Sequence, residues 1–227
     1  YDFLKDNNRA AIPKIYGTYQ NDERESYLIL MQSLRADEMR VINSEDQIDI
    51  WRDQDFQNVM KQMNELHFEL DGMLNTDNIQ THLFKDYGEF SEASIEVLRH
   101  EYGARYASLI DLMKNCYEHV KANETNVYSK IPSHIIHNDF NPRNMAISSK
   151  DKVFIYDWEL ACSDIPHRDF IKLYLFVKKS KNIKSSFTDV CQEHFKVYSF
   201  RSKSDLSQKD WLEAYKFSFA KFVITRL

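Results

Sequence analysis

The chain has 227 residues, 43% hydrophobic and 14% aromatic, enough to bury a sizeable core in one or two domains. A formal net charge of -5 excludes the bulk basic surface that phosphate-backbone binding needs, so nucleic acid is not an expected partner. Cys116, Cys162 and Cys191 are odd in number, widely spaced and form no C-x-x-C pair. That argues against a disulfide framework or a zinc site and for a reducing, cytoplasmic setting.

The apolar run from Tyr27 to Met31 falls far short of the roughly 20 residues a spanning helix requires, and no signal peptide is recognisable. A soluble chain without a membrane partner is expected. Gly17, Gly72, Gly88 and Gly103 belong to neither a G-x-G-x-x-G nor a G-x-x-x-x-G-K-S/T pattern, so no glycine loop is present to cradle a phosphate. The first residue is Tyr1, and residues 1–5 read as the end of a helix. The expectation is a piece of a longer polypeptide.

In chain order, the first predicted elements are two β-prone runs, residues 15–19 and 27–32, joined by the polar turn 20–26 into an antiparallel hairpin. From Trp51 onward, Phe56, Val59, Met60, Met63, Leu66, His67 and Leu70 recur at three- and four-residue intervals. That spacing predicts an amphipathic helix, stopped by Gly72. A second helix is predicted over residues 91–120, with Leu98, Tyr102, Leu109, Met113, Cys116 and Val120 as its buried stripe. A tight segment, 134–145, then leads into two short strands, 145–148 and 153–156, around the polar residues 149–152. Helices over 169–179, 187–200 and 209–226 finish the chain, the last carrying Trp211, Tyr215, Phe219 and Phe222 at core-facing spacing. No repeat or low-complexity linker interrupts the sequence.

The chemistry concentrates between His134 and Asp169, which reads H-I-I-H-N-D-F-N-P-R-N-M-A-I, then V-F-I-Y-D-W-E-L-A, then I-P-H-R-D-F. Phosphoryl transfer needs a carboxylate near the acceptor hydroxyl and oxygen ligands for Mg²⁺ ions that bridge the nucleotide phosphates. Asp139, Asn144 and Asp157 can supply that set. Asp139 and Asn144 share one loop in the spacing H-x-D-x-x-x-x-N, and Asp157 ends an apolar strand whose hairpin would bring its carboxylate back toward Asn144. Arg143 is a loop arginine able to meet a phosphate or an acidic substrate, and Trp158 is read as core packing beneath the loop.

These motifs resemble the aminoglycoside phosphotransferase and choline kinase superfamily, small-molecule kinases with an α+β, protein-kinase-like fold. The catalytic loop of that superfamily is matched by His137-Asn138-Asp139 and Asn144, and its D-x-E metal motif by Asp157-Trp158-Glu159. The resemblance implies that Asp139 orients or deprotonates the acceptor hydroxyl, that Asn144 and Asp157 bind Mg²⁺, and that His137 supports the loop. It also implies that ATP places its adenine against the backbone of Gln32, Ser33 and Leu34, at the end of the last small-lobe strand. Leu66-His67 matches a family L-H at a helix end, and Asp169 would accept the N–H groups of the catalytic loop.

On this reading, residues 1–34 are the end of a small lobe and its hinge. Residues 35–227 form a helical large lobe with a catalytic loop, 134–147, and a metal-binding segment, 153–159. The resemblance covers about residues 12–176; the family's glycine-rich loop and nucleotide lysine have no counterpart, so this piece alone is expected to be inactive. The implied reaction is ATP- and Mg²⁺-dependent transfer to a hydroxyl of an amino sugar, a choline-like alcohol or another metabolite. Two alternatives stand beside it. A protein kinase fits H-N-D and D-W-E less well than H-R-D and D-F-G, and a non-catalytic kinase-fold domain has no need of the retained acid and metal residues.

Overall fold

A computed structural model describes residues 11–71, 81, 83–202 and 205–226. The expected helix end at residues 1–5 and the stop at Gly72 lie outside the described residues. Strands β1 (Ile15–Asn21) and β2 (Ser26–Met31) pair antiparallel with Gln20 opposite Tyr27, the predicted hairpin. Its turn closes locally. The Asn21 side chain accepts the Arg24 N–H at 3.0 Å, and Glu25 takes a left-handed φ of 48°.

Strand β3 (Met39–Ile42), which the sequence did not signal, joins β5 (Met145–Ser148) and β6 (Val153–Ile155) in an antiparallel sheet of order β3-β5-β6. Its four residues include a charged side chain, too short and too polar for an alternation to register. That charge serves a tertiary contact, since Arg40 Nη2 lies 2.6 Å from the fully buried Asp55, which Arg52 also meets at 2.9 Å. A second pair, β4 (His134–Ile136) with β7 (Cys162–Asp164), runs antiparallel.

Among the described residues, five helices carry the core. Helix α1 (Asp53–Asp71) buries Phe56, Val59, Met60, Met63, Leu66, His67 and Leu70, the face its spacing predicted. Helix α2 (Phe84–Lys130) is longer than predicted and breaks at Tyr106, where φ is -126° and ψ 26°. The break rotates one half of the helix relative to the other, so no single stripe spans it. Tyr102 and Leu109 are therefore about half exposed, while Ile95, Ile110, Met113, Cys116 and Val120 are buried.

Helices α3 (His167–Val177), α4 (Phe187–Ser202) and α5 (Gln208–Thr225) complete the bundle, with α5 packed against both α2 and α3. Trp211 and Tyr215 are buried on α5, whereas Phe219 lies partly exposed. A buried polar triad locks three elements together: Tyr128 of α2 donates to Asp164 of β7 at 2.5 Å, and Lys221 of α5 donates to the same carboxylate at 2.8 Å. Among the described residues no helix is long and apolar enough to cross a membrane.

Candidate active site

The loop between β4 and β5 is shaped by groups from distant segments. Asp169, in the first turn of α3, accepts the N–H of His137 at 2.8 Å and that of Asn138 at 2.9 Å, and His67 Nε2 from α1 lies 3.1 Å from the same carboxylate. Burial pushes the Asp169 carboxyl up, but the hydrogen bond and charge of His67, with the loop amide, outweigh it and hold it below the usual carboxylate range. Asn138 then turns the chain with a left-handed φ of 61°, a region that Asn tolerates better than most residues. Its Oδ1 accepts from Arg168 at 2.6 Å and its Nδ2 donates to Leu160 O at 3.1 Å.

His137 is fixed in one neutral tautomer by its partners. Nε2–H donates to Tyr156 O at 2.8 Å, and Nδ1 accepts the Asp139 N–H at 3.2 Å. Burial lowers its pKa, and the ring packs against Trp158 with centroids 4.7 Å apart. Both nitrogens are thereby committed to the backbone, and His137 serves as a brace between the two strands. Trp158, buried as expected, donates to Ile155 O at 3.2 Å.

Asp139 is 5% exposed and collects donors on both oxygens. Oδ2 accepts from Arg143 at 2.9 Å and Asn144 at 2.7 Å; Oδ1 is bonded to Lys172 and lies 3.7 Å from Arg226. Burial raises this carboxyl, but the hydrogen bonds from Lys172 and Arg143 dominate and hold it far below the ordinary carboxylate value.

Asn144 ends the short turn Pro142–Asn144, which Asn141 caps by accepting the Arg143 N–H at 3.0 Å. Its Nδ2 donates to the Asp139 carbonyl at 2.9 Å as well as to the carboxylate, while Oδ1 accepts no hydrogen bond among the described residues. Asn144 O accepts the Tyr156 N–H at 3.0 Å, so the β5–β6 hairpin brings Asp157, with a left-handed φ of 66°, to the same wall.

Asn144, Tyr156 and Asp157 line one face of a cavity of about 460 Å³, and Met31, Gln32 and Leu34 line another. Ser33 does not line it. Its side chain is exposed, because successive residues of an extended segment point to opposite sides. The Gln32 N–H is donated to Lys14 O at 2.7 Å. Leu34 N–H makes no hydrogen bond among the described residues.

Among the described residues no group of three or more His, Cys, Asp and Glu side chains is placed to hold a metal ion. Asn144 and Asp157 offer instead one amide oxygen and one carboxylate. That hard, sparse donor set fits Mg²⁺, which usually takes one or two protein ligands and completes its shell with phosphate and water.

Lys172, Arg168 and Arg226, all within reach of the loop, were not singled out from the sequence. Lys172 did leave a trace there. It stands alone among Phe170, Ile171, Leu173 and Tyr174, and a lone cation in a buried apolar run implies a specific partner. Arg168 and Arg226 carry no such local mark.

The model of the phosphotransferase enzyme family known as APH matches residues 1–184. The chain belongs to that family. Its fold is the protein-kinase-like fold of solved relatives, which share it at low sequence identity. The wild-type aminoglycoside 2'-phosphotransferase-IIIa in its GDP complex is 14% identical with a TM-score of 0.58, over 96% of this chain and 75% of that one. The Plasmodium vivax ethanolamine kinase is 14% identical with a TM-score of 0.58, over 98% of this chain and 62% of the other. An amicoumacin kinase in complex with AMP-PNP, Ca²⁺ and its ligand is 10% identical with a TM-score of 0.62, over 99% and 66% respectively. The chain thus spans about two thirds of the length of these relatives. Among curated proteins nothing matches.

Proposed function

We propose that this phosphotransferase moves the γ-phosphoryl group of ATP, with Mg²⁺, to a hydroxyl of a small molecule. The observation that carries the reading is one cavity lined by Asn144 and Asp157 together with Gln32 and Leu34, with Asp139 hydrogen-bonded to Asn144 at its edge. In that arrangement residues 32–34 are the hinge between a small lobe and the helical lobe that follows. With the Gln32 N–H held by Lys14, the adenine edge meets the Gln32 carbonyl and the Leu34 N–H. Asn144 and Asp157 hold the metal, which neutralises phosphate charge when bound. A reducing, cytoplasmic setting accords with three buried free thiols.

Asp139 orients the acceptor hydroxyl. A carboxylate so heavily hydrogen-bonded is a weak base, so its contribution is to aim an oxygen lone pair in line with the phosphorus. The bond from the acceptor oxygen to phosphorus forms as the bond to the ADP leaving oxygen breaks, and the hydroxyl proton passes to Asp139 or through it to water late in the transfer.

The test is ATP turnover by the full-length protein with and without Mg²⁺, across amino sugars, amino alcohols and hydroxy acids. Acceptor-stimulated ADP release that chelation abolishes and Asp157→Ala reduces at least a hundredfold is the expected result. Turnover unchanged in Asp157→Ala would overturn the assignment.

Lys172 is a positioning residue on this reading. Lys172→Met keeps the buried stem and removes the charge, so the Asp139 pKa should rise toward its ordinary value. The sign follows from the depressed folded pKa: activity requiring ionised Asp139 persists to low pH in the parent and fails earlier in the variant. The acid limb of the kcat profile is expected to move up by about 1 pH unit or more. An unmoved limb would remove Lys172 from this role.

A further inference from the structure

Asp139 separates two cavities. The groups on Oδ2, Arg143 and Asn144, line the cavity assigned above to the nucleotide. On the Oδ1 side lies Arg226, which lines a second pocket of about 300 Å³ together with Asn138, Arg168, Tyr87, Phe90 and Leu160. A hydroxyl reaching Asp139 from the side away from the nucleotide enters through this second pocket, the geometry an in-line transfer requires.

The polar character of that pocket is one-sided. Among the described residues no Asp or Glu lines it, and two of its lining residues are arginines. Behind it, Lys172 donates to Asn138 O at 3.3 Å and Arg226 to the same carbonyl at 3.1 Å. Burial, reinforced by the nearby Arg168 charge, pulls the Arg226 guanidinium below its ordinary value. Acids near the site are already engaged: Asp139 by Lys172, Arg143 and Asn144, Asp164 by Lys221 and Tyr128, and Glu124 by the Phe84 N–H at 2.7 Å.

Two buried donors in the lining residues are left over. Arg168 is 7% exposed, and its Nη1 makes no hydrogen bond among the described residues, lying 3.9 Å from Asp164 Oδ2. The Tyr87 hydroxyl is likewise buried without a hydrogen-bond partner among the described residues. Burial and the Glu124 and Asp164 charges raise its pKa well above the ordinary tyrosine value, so it remains a donor. Unsatisfied buried donors are costly, and a small turn of either side chain toward the pocket would let a ligand rich in acceptor oxygens satisfy it.

From this arrangement we propose that the acceptor is a hydroxylated anion, its carboxylate or phosphate held by Arg168, Arg226 and Tyr87 and its hydroxyl directed to Asp139. The inference rests on the phosphotransferase reading for the fate of that hydroxyl, while the anion site itself does not depend on turnover. A polycationic amino sugar or a quaternary amine would place its charge against arginines with no carboxylate among the described lining residues to receive it.

The experiment is calorimetric titration of the full-length protein with glycerol 3-phosphate, glycerate, glycerol and choline, with the nucleotide site filled by AMP-PNP and Mg²⁺ and again without nucleotide. At least one of the two anions is expected to bind at least tenfold more tightly than glycerol or choline, and the order of the two distinguishes a phosphate from a carboxylate site. Arg226→Met should weaken that anion at least tenfold and Tyr87→Phe at least threefold, with AMP-PNP affinity held within twofold. Choline binding as tightly as either anion, no binding of both anions, or Arg226→Met binding within twofold of the parent would each overturn the proposal. If AMP-PNP itself fails to bind, the nucleotide reading falls, and the arm without nucleotide still decides the anion site.

Discussion

Asp139→Asn is expected to lower kcat by about 10³-fold, within the range lost when a positioned acid or base is removed. The amide preserves the shape of the side chain, but it presents one acceptor oxygen where the carboxylate presents two, and it carries no charge. Its second cost is structural. Lys172 is buried, with a side chain only 6% exposed, and its bond to Asp139 is the ion pair that accommodates its charge there. The single variant therefore leaves a buried ammonium uncompensated and should lose about 1–3 kcal/mol of stability. Asp139→Asn combined with Lys172→Met separates the two effects, because it should recover stability while kcat stays low. The measurements are steady-state turnover and urea unfolding of parent, single and double variants. Recovery of kcat in the double variant would show that the carboxylate acts only to neutralise Lys172.

Asp169→Asn carries the second large effect, this time on the scaffold. The carboxylate accepts two loop amides and His67 from positions 0% to 7% exposed. An amide in its place turns an NH₂ toward one of those donors, leaving a buried N–H facing another. The expected loss is about 3 kcal/mol in urea unfolding, with kcat falling in parallel because the loop that carries Asp139 loses its anchor. The pH dependence gives an independent reading. The folded pKa of Asp169 is depressed, so its contribution is present above the unfolded value of about 3.9 and is lost as pH falls through the folded pKa. The parent should lose stability on acidification, and the variant should lack that component. An Asp169→Asn protein as stable as the parent at neutral pH would mean that the loop holds its shape without the anchor.

What the sequence disclosed follows from the range over which each constraint acts. The spacing of Asp139 and Asn144 is set inside one short loop, and Asp157 is bound to it by a hairpin of adjacent strands, so these positions could be read from local order alone. Helix α1 was equally legible because its buried face repeats without interruption. Strand β3 was not, since Met39–Ile42 is a strand only by virtue of pairing with residues more than a hundred positions away. The full extent of α2 was hidden by the break at Tyr106, which changes which face is buried. Arg168 and Arg226 were illegible for a different reason: an arginine has the same local pattern whether it meets solvent or a catalytic loop. Only the packing of α5 against α2 and α3 brings Arg226 near Asp139.

The anchoring of His137 and Asn138 has a consequence for motion. Loop amides ordinarily exchange their hydrogens with solvent quickly, because the fluctuations that expose them involve few residues. These two are held by a side chain from α3 that is itself held by α1, and no local opening frees one without disturbing both helices. Their hydrogens leave only when the helical body comes apart, which places this stretch of irregular backbone among the slowest-exchanging parts of the molecule.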